Sequence, residues 1–223
     1  MAIQRGGALI FEELRAAVEL VIATGDRKYA HRIEEMWSAV EENFEGHAAL
    51  AVRSLPYLSD SYRKKMKILV QKYKNHIDEI RKMNPFGVPV SKGGWAGNGR
   101  VVNFALTNYL LHREFPDIIE ADDVYRGLNY IYGCHPGSDL SFVSGVGTVS
   151  KRIAYGNNRA DFSFIAGGVV PGVLILKPDF PENKEDWPFV WAENEYVINL
   201  GSGYLYLVKA VIDLLQTDEF HNR

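Results

Sequence analysis

Residues 8–40 read ALIFEELRAAVELVIATGDRKYAHRIEEMWSAV, and this stretch decides the fold class. Ile10, Leu14, Ala17 and Val21 recur at spacings of three and four, the signature of an amphipathic helix. Thr24-Gly25-Asp26 interrupts the pattern. Glycine accepts the left-handed conformation that ends a helix, and Asp26 is placed to cap the next one. Tyr29, Ile33, Met36, Trp37 and Val40 then line one face of a second helix. The two form a short-looped helical hairpin.

The same period recurs further along. A third helix is predicted over 60–82, with Tyr62, Met66, Leu69, Tyr73, Ile77 and Ile80 as its apolar stripe. Its other side carries Arg63, Lys64, Lys65, Lys67, Lys72 and Lys74, either a solvated face or a polyanion site. MNPFGVPVSKGGWAGN (83–98) is rich in Pro and Gly and reads as a loop. Helices are predicted over 101–112 and about 121–132, the latter opening on Asp122 and Asp123, whose charge suits a helix N-terminus. Residues 133–194 lose the helical period, with short β segments expected at 141–146 and 169–176. A last helix is expected from about Glu195, with Val197, Leu200, Tyr204, Leu207 and Val211 on one stripe. The chain therefore reads as all-α, a single domain over 1–223, with long loops decorating one end.

Composition narrows the function. The 223 residues include 25 Lys and Arg against 28 Asp and Glu, a net charge of -3, which argues against a nucleic-acid binder. Cys134 is the single cysteine, so neither an internal disulfide nor a cysteine metal cluster is expected. No apolar run is expected to reach the roughly 18 residues needed to span a bilayer; the longest candidate, 169–176, is broken by Pro171 and Gly172. The N-terminus lacks the features of a signal peptide. His31, His47, His76, His112, His135 and His221 show no metal-ligand spacing, and no Gly-x-Ser-x-Gly elbow is present.

Three constellations carry candidate chemistry. DWPFVWAENE (186–195) places Asp186, Glu193, Glu195, Trp187, Trp191 and Asn194 together at a loop-to-helix junction. A carboxyl group against an apolar wall holds its proton toward neutral pH and can deliver it to a leaving oxygen, while the indoles offer a flat surface to a sugar. The plainer alternative is that Glu193 and Glu195 only favour a helix N-terminus. SFVSGVGT (141–148), followed by Lys151, Arg152, Tyr155, Asn157, Asn158, Arg159 and Asp161, is either a sugar-binding rim or a structural loop. GGWAGN (93–98) surrounds Trp95 with small residues, leaving its ring open to a ligand or buried under a loop.

Taken in order, these segments resemble the family-9 glycoside hydrolases, cellulase-type enzymes with an (α/α)6 toroid. The resemblance is carried by Tyr130-Ile-Tyr-Gly133, by Ser141-Phe-Val-Ser-Gly-Val-Gly147, by Asp186 and Asn194-Glu195 before a terminal apolar helix, and by Gly94-Trp-Ala-Gly-Asn98. It implies that Glu195 is the general acid of an inverting hydrolase and that Asp186 supports the site or the attacking water. It also implies subsites formed by Trp95, Asn98, Tyr155, Asn157, Arg159, Trp187, Trp191 and Asn194. Acid and base in such enzymes stand roughly 6.5–9.5 Å apart, leaving room for water.

Two departures accompany the likeness. The family's Asp-x-Gly-Asp base motif is absent. The family's His-His-Arg stretch is replaced by KRIAYGNNR (151–159), where Arg159 stands for the family Arg and Tyr155 or Asn157 for a His. The expectation is therefore a C-terminal portion of the catalytic domain, with Met1 an added start. Its partner would be the missing N-terminal half of the toroid or a second copy. The expected substrate is a β-linked glucan or related polysaccharide, and the alternative function is a catalytically incomplete carbohydrate-binding module. The resemblance implies no cofactor; no pattern indicates the structural Ca²⁺ that a loop of such a fold can hold. It places the parent enzyme outside the cytoplasm, secreted or periplasmic.

Overall fold

The computed structural model describes residues 6–89, 97–134, 139–152, 164–172 and 195–221. Among these the helices are α1 (Gly6–Thr24), α2 (Arg27–Glu35), α3 (Trp37–Glu42), α4 (Phe44–Val52), α5 (Asp60–Met83), α6 (Gly97–Glu114), α7 (Asp122–Ile131) and α8 (Ile198–His221), with a 3-10 turn at Leu55–Tyr57. The all-α expectation is met. Two compact units divide the chain: 1–77 with 110–120, and 78–109 with 121–223.

In the first unit the hairpin forms as its sequence dictates. Leu14, Val18 and Val21 of α1 are fully buried, as are Ile33 and Val40. Gly25 adopts φ +67°, and Asp26 caps α2 by accepting the Lys28 N–H at 2.9 Å. That bond, and the neighbouring Lys28 ammonium, hold the Asp26 carboxyl below its ordinary range. The second helix differs from expectation. It breaks at Met36, whose N–H still reaches the Arg32 and Ile33 carbonyls but whose backbone (φ -85°, ψ 15°) leaves the helical region. Asn43 (φ -134°, ψ 57°) breaks it again before α4, a helix that periodicity did not reveal. His47, Ala48, Ala51 and Val52 form the buried face of α4, and its outward side, with Gly46, Ala49 and Leu50 beside Glu45, carries too few polar residues to mark a surface helix.

The basic side of α5 is partly absorbed within this unit. Arg63 pairs with Glu114 and lies over the Phe115 ring, Lys74 reaches Glu120 at 3.3 Å, and Lys65 stands 5.5 Å above Trp37. Lys64, Lys67 and Lys72 are exposed.

In the second unit, α7 and α8 pack together around Val124, Leu128, Leu200, Tyr204 and Leu207. Close helix approach depends on two glycines. A Cβ on Gly127 would lie 2.5 Å from that of Ala105, and one on Gly203 would lie 3.1 Å from a Val102 methyl. Of the expected β segments, 141–146 keeps Ser141, in β1 (Leu140–Ser141), and Val143, whose antiparallel bridge to Val169 is what 169–172 contributes; β1 pairs in parallel, as Leu140↔Val149 and Ser141↔Ser150, with β2 (Val149–Ser150), which lies outside both expected segments. Residues 173–176 lie outside the described residues.

α8 corrects the expectation that no apolar run is long enough to span a bilayer. By length and composition its stretch Ile198–Thr217 is long and apolar enough to cross a bilayer, and 33% of it is buried. Leu200, Tyr204, Leu207, Val211 and Leu214 face the core, while Ile198, Leu205, Tyr206, Ile212 and Leu215 are exposed.

Candidate active site

The second unit draws together three of the segments singled out above. The first is the N-terminus of α6. Gly97 N–H donates to the Gly172 carbonyl (2.8 Å) and Asn98 N–H to the Pro171 carbonyl (2.7 Å), satisfying donors that a helix leaves unpaired at its start. Asn98 Nδ2 donates to the Val170 carbonyl at 2.7 Å. The Asn98 side chain is fully buried, and among the described residues its Oδ1 has no hydrogen-bond partner. Gly172 has φ +60°, and any Cβ there would meet the Asn98 amide at 2.7–2.8 Å, so only glycine fits.

The second segment is the loop 141–151. Gly145 and Gly147 turn it through positive φ. The Ser141 hydroxyl accepts the Val143 N–H at 3.1 Å, and the Ser150 hydroxyl accepts the Gly145 N–H at 2.9 Å. The turn at 165–170 is laced onto this loop by Ser144 N–H to the Gly168 carbonyl (2.9 Å), Gly167 N–H to the Ser144 carbonyl (2.7 Å) and Val170 N–H to the Phe142 carbonyl (3.1 Å). Ser144 and Lys151 are fully buried.

The third segment is Glu195-Tyr196-Val197, which runs into α8. The helix begins three residues later than expected, although the Val197 carbonyl already accepts the Gly201 N–H at 2.9 Å. Glu195 is half-buried, and among the described residues its carboxylate has no hydrogen-bond or ion-pair partner. The adjacent Tyr196 hydroxyl meets Ser144 Oγ at 2.7 Å and accepts the Ile165 N–H at 3.3 Å. Nearby, the Tyr132 and Tyr204 hydroxyls meet at 3.1 Å, joining the end of α7 to α8. Burial, and then the Tyr132 hydroxyl, pushes the Tyr204 phenol well above its ordinary range.

Of the sequence-predicted site residues, Glu195 and Asn98 are thus placed. Trp95, Tyr155, Asn157, Arg159, Asp186, Trp187, Trp191 and Asn194 lie outside the described residues. Among the described residues no group of three or more His, Cys, Asp and Glu side chains gathers as a metal site. Sequence reasoning gave no role to Tyr196, Gly168 or Gly172. Their signal was weak: an aromatic residue beside a carboxylate, and glycines in an already glycine-rich stretch.

No protein-family model matches this chain, and no curated protein matches it in sequence. Solved structures do. AaCel9A in complex with cellobiose-like isofagomine superposes with a TM-score of 0.70 at 19% identity, over 92% of this chain and 43% of that one. The cellulase Cel9M of C. cellulolyticum superposes at 0.63 and 16% identity, over 96% of this chain and 51% of that one. An endoglucanase from the termite Nasutitermes takasagoensis superposes at 0.62 and 17% identity, over 90% of this chain and 50% of that one. The chain spans about half the length of the structures it matches. It therefore has the fold of part of an (α/α)6 glycosidase toroid, the architecture it shares with these endoglucanases.

Proposed function

We propose that this chain carries the acid half of a site that hydrolyses β-linked glucans or related polysaccharides with inversion. The observation that supports it is the half-buried Glu195, without a partner among the described residues, whose neighbour Tyr196 is hydrogen-bonded to the 141–151 loop, in a fold shared with endoglucanases. In this reading Glu195 protonates the glycosidic oxygen as the bond from that oxygen to the anomeric carbon breaks. Water attacks the opposite face of the sugar, activated by a carboxylate supplied from outside this chain. Asp186 supports that water or the site, and Trp95, Trp187 and Trp191, with Tyr155, Asn157, Arg159 and Asn194, line the subsites. Asn98 acts from beneath, holding residues 170–172 in place. Release of reducing sugar from soluble β-glucan is the test. Losing base catalysis costs about 10²–10⁴-fold, so the chain alone should turn over slowly and rise toward normal rates when joined to its complementary half. Equal turnover by Glu195→Gln would remove Glu195 from the mechanism.

The stretch KRIAYGNNR (151–159), standing where the family has His-His-Arg, favours a second reading, a carbohydrate-binding module without turnover. Calorimetric titration with cello-oligosaccharides separates the two: binding without cleavage, even with the complementary half present, selects the module. In either case the parent protein acts on extracellular polysaccharide and is expected to be exported.

A further inference from the structure

On the reading of Glu195 as the acid, we infer that Tyr196 is its positioning residue, acting through a one-way chain of hydrogen bonds. The directions follow from counting donors. Ser144 has one hydroxyl proton, and the Lys151 carbonyl, an acceptor only, takes it at 2.6 Å. Ser144 Oγ is therefore the acceptor in its 2.7 Å contact with Tyr196, whose hydroxyl donates. The Tyr196 oxygen in turn accepts the Ile165 N–H at 3.3 Å. The order is Ile165 N–H to Tyr196 O–H to Ser144 O–H to Lys151 carbonyl, with each hydroxyl used once as donor and once as acceptor. Bonds chained in this way polarise one another.

The ring is seated as firmly as the hydroxyl. Gly168 lies directly against it: a Cβ there would fall 2.6 Å from Cε1 and 2.7 Å from Cδ1. Tyr196 thus ties the backbone next to Glu195 to the 141–151 loop and to the 165–168 turn, at a point where α8 has not yet begun to hold it. A reacting group must be held to roughly 0.5 Å, and a carboxylate without a partner of its own depends on its backbone for that precision.

Isofagomine, a cationic iminosugar whose ammonium replaces the anomeric carbon, is the probe, because it pairs with the acid beside the glycosidic oxygen once that group has lost its proton, so its affinity reports where Glu195 is held. Calorimetric titration of the full chain across pH 4–8 should show binding whose pH profile is flattened by Glu195→Gln. Tyr196→Phe should weaken binding about tenfold and shift the same profile, with the melting temperature falling by only a few degrees. Ser144→Ala removes the acceptor at the other end and should do the same, and it decides the matter if Tyr196→Phe does not fold. Wild-type affinity in both variants, alongside a loss in Glu195→Gln, overturns the positioning role while leaving the acid in place. No effect of Glu195→Gln, or no binding by the wild-type chain, overturns the acid reading and the positioning role with it.

Discussion

Arg81 holds one oxygen of the Asp123 carboxylate with both Nε (2.8 Å) and Nη2 (2.6 Å), and that carboxylate is only 1% exposed. This pair ties the end of α5 to the first turn of α7, where a negative charge also suits the helix dipole. Removing one partner of a buried pair strands the other. Asp123→Ala should therefore cost about 3 kcal/mol in urea denaturation, and Asp123→Asn less, because its amide oxygen still accepts. Equal stability of Asp123→Ala and wild type would show that the pair contributes little.

Gly127 of α7 lies close against Ala105 of α6. Gly127→Ala overpacks this contact and should destabilise by about 1–3 kcal/mol, more than alanine's better helix propensity returns. Adding Ala105→Gly should restore much of the loss. A double-mutant cycle in thermal denaturation measures the coupling, and purely additive effects would contradict the proposed contact.

Asn98 should matter for folding even without ligand. Asn98→Ala deletes a fully buried bond to the Val170 carbonyl, for a cost of about 1–3 kcal/mol. Faster hydrogen exchange at the Gly97 and Asn98 amides, which donate to residues 172 and 171, is the local signature. Unchanged exchange there would mean that the backbone bonds hold without the side chain.

Glu34 accepts the Ser59 N–H at 2.8 Å, and hydrogen bonds from Ser59, side chain first and then backbone, lower its carboxyl below the ordinary glutamate range. A depressed folded-state value adds stability that is complete above the ordinary value of about 4.3 and is lost as the pH falls through the lowered one. Glu19, lowered by its hydrogen bonds to Arg53, adds in the same sense. Glu34→Gln should thus destabilise at pH 7 and have much less effect near pH 3. The group is largely solvated, so the difference is small, and a Glu34→Gln effect independent of pH would contradict the linkage.

The outer face of α8 should govern association. Ile198, Leu205, Tyr206, Ile212 and Leu215 form an exposed apolar strip, and the chain spans about half the length of the structures it resembles. Analytical ultracentrifugation should show concentration-dependent self-association, abolished in the double variant Leu205→Glu, Ile212→Glu without loss of helix. A monomer at millimolar concentration would contradict this.

Helix periodicity is a local property, and much of the fold was legible from it. The stripes of α1, α5 and α8 and the Gly25-Asp26 turn follow from spacing and backbone preference alone. The breaks at Met36 and Asn43 and the helix α4 were hidden, because the outward side of α4 carries Gly46, Ala49 and Leu50 and so lacks the polar face that makes a period visible. The site divides in the same way. Glu195 stood out as a carboxylate among aromatic residues, whereas Tyr196 read as part of a helix. Its role arises because a hydroxyl meets Ser144 across 52 residues and its ring fits against Gly168. Asn98 and Gly172 likewise acquire their meaning only where α6 meets a distant loop. Sequence spacing reports what neighbours along the chain prefer. Which groups meet across long loops is decided by the packing of the whole second unit.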